Sequence, residues 1–138
     1  MLISGVTPQL RTQDLDSTIR FYTEKVGLTL DFRYSDFYAG LRAGDQFIHL
    51  KLVDDADPSI AYVRTGDHFH LYLNSSDVDA LAMRLKSKGV RLHQEPRDTE
   101  WGTRELVFHD DQGHTIHVGQ KLCAPRRLGG PAAIRLMD

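Results

Sequence analysis

The amino-acid sequence predicts an α+β fold of two tandem βαβββ modules, whose curved mixed sheets form around a cleft. The first observation behind this prediction is a repeat, because Gln13–Asp16 resembles Ser76–Asp79 and each opens a run with helical spacing. The second is that one strand-like run precedes each helical run and three follow it. The third is size, since 138 residues with 41% hydrophobic content suit one compact domain with its own core.

The first module opens with a strand and a helix. Its helical run places apolar residues at i, i+4, i+7 and i+11, which is one face of a helix, and it ends near Gly27. Short turns separate the three strands that follow. The helix positions are Leu15, Ile19, Tyr22 and Val26, and the predicted strands are Ile3–Leu10, Thr29–Tyr34, Phe37–Arg42 and Gln46–Val53.

The second module repeats this order. Its helical run ends at Gly89, and Ser76 and Asp79 have the spacing of a capping box at its start. The turn Asp110–Gly113 predicts a hairpin before the last strand. The helix positions are Val78, Leu81, Ala82 and Leu85, and the predicted strands are His68–Leu73, Arg91–His93, Thr103–His109 and Thr115–Gln120.

The domain boundaries follow from the repeat. We expect one domain over residues 1–122, with modules at about 1–55 and 66–121. The connection Asp54–Gly66 is rich in Asp and contains Pro58, which predicts a linker. Residues 123–138 contain two prolines and a Gly-Gly pair, so we expect a loosely ordered tail with one helical turn that docks on a partner subunit.

Composition and charge argue against several function classes. The formal net charge is −2 and the pI is about 6.4, so nucleic acid is not an expected partner. No stretch approaches the roughly 18 apolar residues of a membrane span, and no signal-peptide pattern opens the chain. The single cysteine, Cys123, cannot form an internal disulfide, which favours a cytoplasmic location. Catalytic-serine, phosphate-loop and dinucleotide motifs are absent from the sequence.

Histidines occupy matching strand positions in the two modules. Thr7 corresponds to His70 in the first strand, and His49 corresponds to His117 in the last strand. Strand alternation directs the last-strand histidines away from their apolar neighbours. His49, His70 and His117 would together give a three-nitrogen site for a divalent metal, with open positions for water or substrate. The alternative is that they line a pocket without a metal. The other histidines are expected at the surface, and they are His68, His93, His109 and His114.

Aromatic residues form a second candidate site. Phe32 and Phe37 flank a turn, and Trp101, the only tryptophan, precedes a glycine just before a strand. Such a ring can lie flat over a cleft and stack on a planar ligand, while Asp31, Asp36 or Glu100 is available to meet a positive charge. The alternative is that Phe32 and Trp101 are ordinary core residues.

Several stretches resemble a known family. Thr7–Leu15 and Phe21–Leu28 are similar to the opening strand and helix of the vicinal-oxygen-chelate superfamily, which includes glyoxalases, bleomycin-resistance proteins and dioxygenases. Trp101–Glu105, followed by Asp110–His114, resembles the bleomycin-resistance proteins most specifically. The resemblance covers about residues 3 to 121.

The resemblance implies a homodimer that exchanges its N-terminal strand at a hinge matching Pro8, with ligand sites in clefts at the subunit interface. The bleomycin-resistance branch confers antibiotic resistance by sequestering a cationic, aromatic-tailed glycopeptide without transforming it. Its ligand contacts map onto Asp31, Phe32, Phe37 and Trp101. Glyoxalase-like enzymes instead bind a metal through positions that map onto Thr7, His49, His70 and His117.

The sequence departs from both branches. Thr7 is a poor metal ligand, and His49 and His117 stand where the enzymes usually have Glu. A net charge of −2 gives only a weak field for attracting a cation. The leading hypothesis is a small-molecule-binding dimer that sequesters a planar or cationic ligand. The alternative is a metal-dependent lyase or dioxygenase that uses Zn, Ni, Mn or Fe, and a third option is an interaction domain in which only the dimer matters.

Overall fold

A computed structural model describes residues 1–122 of the chain, which form two compact units. The first unit comprises Met1–His68 together with Asp110–His114. The second comprises Phe69–His109 and, within the described part of the chain, residues 115–122. Cys123 and the predicted tail, 123–138, lie outside the described residues.

The first unit contains a four-stranded mixed sheet in the order β1-β4-β3-β2. Strand β1 runs parallel to β4, and the other neighbours are antiparallel. Helix α1 continues into a π-helical segment and packs against β3 and β4. The elements are β1 (Gln9–Thr12), α1 (Leu15–Arg20), the π-helical segment (Phe21–Val26), β2 (Thr29–Tyr34), β3 (Tyr38–Ala43), β4 (Gln46–Leu52) and α2 (Pro58–Arg64).

The second unit repeats this topology with the order β5-β8-β7-β6. Strand β5 runs parallel to β8, the other neighbours are antiparallel, and helix α3 packs on the same sheet. The predicted fold of two βαβββ modules is therefore confirmed. The elements are β5 (Leu71–Asn74), α3 (Val78–Ser87), β6 (Leu92–Asp98), β7 (Thr103–His109) and β8 (Thr115–Lys121).

The helix starts show how closely the two halves repeat. Asp14 caps α1 by accepting from the backbone N–H of Ser17, and Asp77 caps α3 by accepting from that of Ala80, each at 3.0 Å. The prediction that Ser76 caps the second helix is wrong by one residue. A carboxylate at the next position stabilises the positive end of the helix more strongly than a serine hydroxyl does.

The first predicted strand forms later in the chain than expected. The prediction was Ile3–Leu10, but β1 begins at Gln9, where pairing with β4 starts. Among the described residues no strand is assigned ahead of β1, and the apolar side chains of this segment are exposed. They are Met1, Leu2, Ile3 and Val6.

The linker between the halves contains a helix, which the sequence analysis missed. Asp57 caps α2 by accepting from the N–H of Ser59 at 2.9 Å, and Pro58 occupies the first turn. An Asp-Pro pair is a recognised helix-start signal, because proline loses no hydrogen bond at that position. The segment was nevertheless predicted as a loop, since it lacks a continuous apolar face.

Strand β6 is longer than the predicted Arg91–His93 because it continues through Pro96. Proline has no N–H to donate to a ladder, which argues against a strand at that point. Here β6 is the edge strand, and its pairing with β7 shifts register between Gln94 and Arg97. The proline therefore lies at an irregularity of the ladder, where its missing donor costs little.

Each sheet buries one face against its helix. In the first unit Leu41, Ile48 and Leu50 lie on the buried face, and in the second Leu106 and Ile116 do so. Strand alternation leaves the opposite face of each sheet open, and these are called the first and second open faces below. Within residues 1–122, no helix has the length and apolar character needed to cross a membrane.

Candidate functional site

The first open face carries an aromatic cluster around a histidine. Strand pairing places Gln9 and Gly40 on either side of His49, and Phe32 beside Gly40. A Cβ atom at Gly40 would overlap the ring of Phe32. Glycine is therefore required there, because Phe32 lies flat across the strand beside it.

Ring contacts hold the cluster together. The ring of Phe32 lies 5.3 Å from that of His49 in an edge-on arrangement and 6.2 Å from that of Tyr38 in a stacked one. Phe32 is 38% exposed, so its face is open to a partner. The expectation that Phe32 is an ordinary core residue is wrong, and the structure joins this predicted ligand contact to the predicted metal ligand His49.

A hydrogen-bond chain fixes the orientation of His49. The hydroxyl of Tyr38 lies 2.9 Å from Nδ1 of His49, and Nε2 of Gln9 donates to the same hydroxyl oxygen at 3.1 Å. The hydroxyl can donate to Nδ1 or accept from it, depending on the tautomer of the ring. In either case the ring is held in place on the open face.

The charged residues of the first open face are cations. Arg11 and Lys51 pair directly across β1 and β4, and Arg42 lies on the same face of β3. Like charges placed opposite each other on neighbouring strands are destabilising. Strands β1, β3 and β4 therefore place cationic side chains and no carboxylate on this face, although the formal net charge of the chain is −2.

Asp31 and Phe37 lie near the ends of β2. Asp31 is the exposed residue at a bulge, where the pairing of β2 with β3 shifts register. Phe37 is 46% exposed in the following turn, and its ring packs edge-on against Tyr34 at 5.6 Å. Both predicted ligand contacts are thus on the surface of the first unit.

The second open face carries His117 on β8, and His70 lies directly before β5, which runs parallel to β8. The ring of His117 lies 4.8 Å from that of Phe69, and Tyr72 pairs with His117 across the sheet. Nδ1 of His70 accepts from the backbone N–H of Thr115 at 3.1 Å. Because Nδ1 accepts this bond, a neutral His70 ring carries its proton on Nε2. The nitrogen that faces away from the backbone is then a hydrogen-bond donor and not a lone pair.

The nearly buried carboxylate of Glu105, in β7, lies beside the Tyr72 hydroxyl. The Tyr72 hydroxyl donates to Oε2 of Glu105 at 2.6 Å, and the Thr103 hydroxyl donates to the same atom at 2.9 Å. Tyr72 crosses Gly119, where a Cβ atom would overlap its hydroxyl. Burial, followed by the bond to Glu105, raises the pKa of Tyr72 to about 12.

Trp101 lies in the turn between β6 and β7 and is 50% exposed. Thr99 and Thr103 close this turn through a backbone hydrogen bond of 2.8 Å. Gly102 adopts φ 91°, a left-handed conformation that favours glycine. The alternative that Trp101 is a core residue is therefore wrong, and its ring is available for stacking.

The residues described here do not fit a divalent metal. Within residues 1–122, no group of three or more His, Cys, Asp and Glu side chains is arranged to hold an ion. His49 and His70 both use Nδ1 in hydrogen bonds of the chain, and Thr7 is a poor ligand. The site of His49, His70 and His117 therefore stays a prediction.

One histidine expected at the surface is in the core of the first unit. His114 is 1% exposed, and its Nδ1 lies 2.8 Å from Oδ2 of Asp110, which also accepts from the Tyr22 hydroxyl at 2.7 Å. Burial would raise the pKa of Asp110, but the hydrogen bond and charge of His114 outweigh it, so the pKa is lowered. Burial, followed by Asp110, raises the pKa of Tyr22 well above its usual value.

The sequence analysis missed the roles of four polar residues. Alternation places Gln9 and Tyr38 near His49, and it places Tyr72 and Glu105 near His117, so strand pairing was the signal that could have found them. That signal requires the register of the sheets, which a single sequence does not specify.

Comparison with protein families gives a match to the Glyoxalase/Bleomycin resistance protein/Dioxygenase superfamily over residues 5–118. A lactoylglutathione lyase from Arabidopsis thaliana is 28% identical over 119 residues, covering 80% of this chain and 42% of the relative. A probable lactoylglutathione lyase from Vibrio cholerae is 26% identical over 132 residues, covering 88% and 93%. The chain spans less than half the length of the two plant relatives that it matches.

Solved structures share the fold. TnmS3, an antibiotic binding protein from Streptomyces, is 29% identical with a TM-score of 0.66, over 88% of this chain and 98% of that chain. A bleomycin-binding protein complexed with bleomycin is 26% identical with a TM-score of 0.68, over 86% and 99%. A bleomycin resistance determinant encoded on transposon Tn5 is 24% identical with a TM-score of 0.69, over 86% and 98%, which shows the fold alone.

Proposed function

Because the chain belongs to the glyoxalase/bleomycin resistance protein/dioxygenase superfamily, we propose that it binds a planar or cationic small molecule, such as a bleomycin-like antibiotic, and sequesters it unchanged. The observation that carries this proposal is the aromatic cluster on the first open face. Two structural relatives above 25% identity, one an antibiotic binding protein and one complexed with bleomycin, support the same ligand class.

The cluster suits a planar ligand for three reasons. Phe32 lies flat on the sheet, and its ring is fixed between Gly40 below it and the rings of Tyr38 and His49 at its sides. A ring that is already ordered loses little conformational entropy when it stacks. Ring stacking contributes about 0.5–1.5 kcal/mol beyond the area that it buries.

The charges of the first open face favour a planar ligand over a cationic one. Arg11, Arg42 and Lys51 make the first open face positive, which opposes a cation lying on it. Asp31, exposed at the bulge of β2, is the carboxylate that we propose for a cationic group. The planar part of the ligand therefore has the stronger support.

We propose four ligand contacts, which differ in kind. On the first unit, Phe32 stacks on the planar part and Phe37 extends the apolar surface beside Tyr34. On the second unit, Trp101 supplies an exposed ring as a contact of its own. Asp31 meets positive charge. The function of His49 in this proposal is to donate or accept one hydrogen bond beside the stacked rings.

The test is a fluorescence titration of the wild-type protein with bleomycin and with uncharged planar compounds. Trp101 is the only tryptophan, so quenching reports on its surroundings alone. We expect saturable quenching of Trp101. By isothermal titration calorimetry, which does not depend on Trp101, we expect a Kd at least about tenfold higher for Phe32→Ala and an unchanged Kd for Tyr62→Ala, which deletes an exposed ring elsewhere. Mass spectrometry should recover the ligand unaltered. Absence of binding, or a chemically changed ligand, would refute the proposal.

We also propose that the protein is a homodimer. Met1, Leu2, Ile3 and Val6 are exposed apolar residues ahead of β1, and their burial against a second copy would stabilise the pair. Sedimentation velocity should give a dimer for the full chain and a monomer for a variant that lacks residues 1–7. A monomeric full chain at micromolar concentration would contradict this.

A metal-dependent enzyme is the second candidate. What favours it is the similarity to proteins named lactoylglutathione lyases, one of which is covered over 93% of its length. Elemental analysis of protein purified without a tag or chelating resin decides between the candidates. About one equivalent of Zn, Ni, Mn or Fe per subunit, lost in His49→Ala and His117→Ala, supports the enzyme. No metal, and none taken up on addition, rejects it.

A further inference from the structure

The turn that carries Trp101 is closed by two threonine side chains as well as by the backbone. The N–H of Thr103 donates to Oγ1 of Thr99 at 3.1 Å, and the two hydroxyl oxygens lie 2.8 Å apart. Downstream of the turn, the N–H of Leu122 donates to the carbonyl of Gly102 at 3.0 Å. Both sides of the exposed tryptophan are therefore tied to the second sheet.

The hydroxyl groups form a chain with a fixed direction. Thr103 donates its only hydroxyl proton to Oε2 of Glu105 and therefore acts only as an acceptor toward Thr99. The Thr99 hydroxyl has two acceptors on Thr103, the hydroxyl oxygen at 2.8 Å and the carbonyl oxygen at 3.2 Å. Tyr72 donates to the same carboxylate oxygen from the other side. The chain thus runs from Thr99 through Thr103 to Glu105, and from Tyr72 to Glu105.

The carboxylate at the centre of this chain is only 8% exposed. A buried acceptor costs free energy unless it is satisfied, and here both donors to Oε2 come from the chain itself. Bonds to a charged acceptor are the stronger class of hydrogen bond. The bonds from Tyr72 and Thr103 to Glu105 connect β5 to the turn. Loss of either hydroxyl should therefore loosen the base of the Trp101 turn.

We propose that Tyr72, Glu105, Thr103 and Thr99 are positioning residues that hold the Trp101 turn in place for stacking on the ligand. The effect of this rigid turn on ligand affinity rests on the proposed function. The rigidity of the turn, however, can be measured without any ligand. Since Trp101 is the only tryptophan, its fluorescence reports on this turn alone.

The first experiment compares Thr103→Val with Thr103→Ser. Valine keeps the shape of threonine without the hydroxyl, whereas serine keeps the hydroxyl. Time-resolved anisotropy and acrylamide quenching, excited at 295 nm, should show a larger fast-motion amplitude and a roughly twofold greater quenching constant for the valine variant. The serine variant should match the wild type. Equal behaviour of both variants with folded circular-dichroism spectra would overturn the inference.

The second experiment uses Tyr72→Phe, which removes one hydroxyl and keeps the ring. Its matched control is Tyr62→Phe, a change at an exposed tyrosine of α2. We expect increased Trp101 motion in the first variant alone. For a stacking ligand, Kd should rise roughly threefold to tenfold, because the net free energy of one hydrogen bond changes an equilibrium constant by that factor.

The two proposals fail in different ways. If the wild type binds no planar ligand, the proposed function is rejected, and the anisotropy of the ligand-free variants still decides the positioning role. If ligand binds but Trp101 motion is unchanged in Thr103→Val and Tyr72→Phe, the positioning role is rejected and the binding function stands.

Discussion

Each unit contains a tyrosine hydroxyl that donates to a buried carboxylate, but the two pairs lie in different surroundings. The Tyr22–Asp110 pair is sealed in the core of the first unit, with His114 beside it. The Tyr72–Glu105 pair lies under the second open face, and Tyr72 is 38% exposed. The same chemistry therefore lies in the core of one unit and next to the Trp101 turn in the other.

The difference follows from what else each carboxylate accepts. Asp110 accepts backbone N–H groups of Gln112 and His114, so it fixes the loop Asp110–His114. Glu105 accepts a hydroxyl of the Trp101 turn. Substitutions at the first pair should change the free energy of unfolding most, and substitutions at the second should change ligand binding most.

The largest effect is expected for Asp110→Ala. This change leaves the Tyr22 hydroxyl, the His114 ring and two backbone amides without their acceptor, so the free energy of unfolding should fall by about 3–5 kcal/mol. Urea denaturation followed by circular dichroism measures it. Tyr22→Phe should lose less, about 1–2 kcal/mol. A loss below about 0.5 kcal/mol for Asp110→Ala would break the comparison.

Gly40 and Gly119 allow each open face to be tested by the addition of a single methyl group. A methyl group at Gly119 overlaps Tyr72, and one at Gly40 overlaps Phe32. Overpacking should cost each alanine variant about 1–3 kcal/mol of stability. Gly40→Ala should also weaken ligand binding because it displaces the stacking ring. Equal ligand Kd values for Gly40→Ala and wild type would show that Phe32 is not part of the site.

Acid pH should reveal how much the Tyr22–Asp110 pair contributes to stability. The pKa of Asp110 is lowered in the folded protein, so its contribution to stability is fully present above its ordinary value of 3.8. It is lost as pH falls through the lower folded pKa. Urea midpoints between pH 5 and about 2.5 should therefore fall more steeply for wild type than for Asp110→Asn. Parallel curves would contradict the assignment.

Alkaline pH gives the smallest effect and tests the second pair. The pKa of Tyr72 is raised to about 12, so the stability from its hydroxyl is present below its ordinary value of 10.0 and is lost as pH rises through 12. Absorbance at 295 nm should show two late-titrating tyrosines, Tyr22 and Tyr72, and only the one that belongs to Tyr72 should disappear in Tyr72→Phe. In Glu105→Gln that tyrosine should titrate earlier, because the neighbouring negative charge is gone.

The sequence predicted the repeated βαβββ order because apolar spacing and turn residues are local signals. The strands Thr29–Tyr34 and Thr103–His109 have the predicted bounds. The core position of His114 could not be read locally, because its neighbours in the turn are polar and Tyr22, which bonds the same Asp110 carboxylate, lies far away in the chain. Strand register decided the roles of Tyr38 and Glu105.

The most direct test of the binding account is NMR of ring-labelled Phe, Tyr and His during titration with bleomycin or another planar ligand. The account predicts saturable shifts for the rings of Phe32, Tyr38 and His49, while the ring of Tyr22, buried in the core, keeps its signal. Saturable binding that leaves the three open-face rings unshifted would contradict the account, because the ligand would then lie elsewhere.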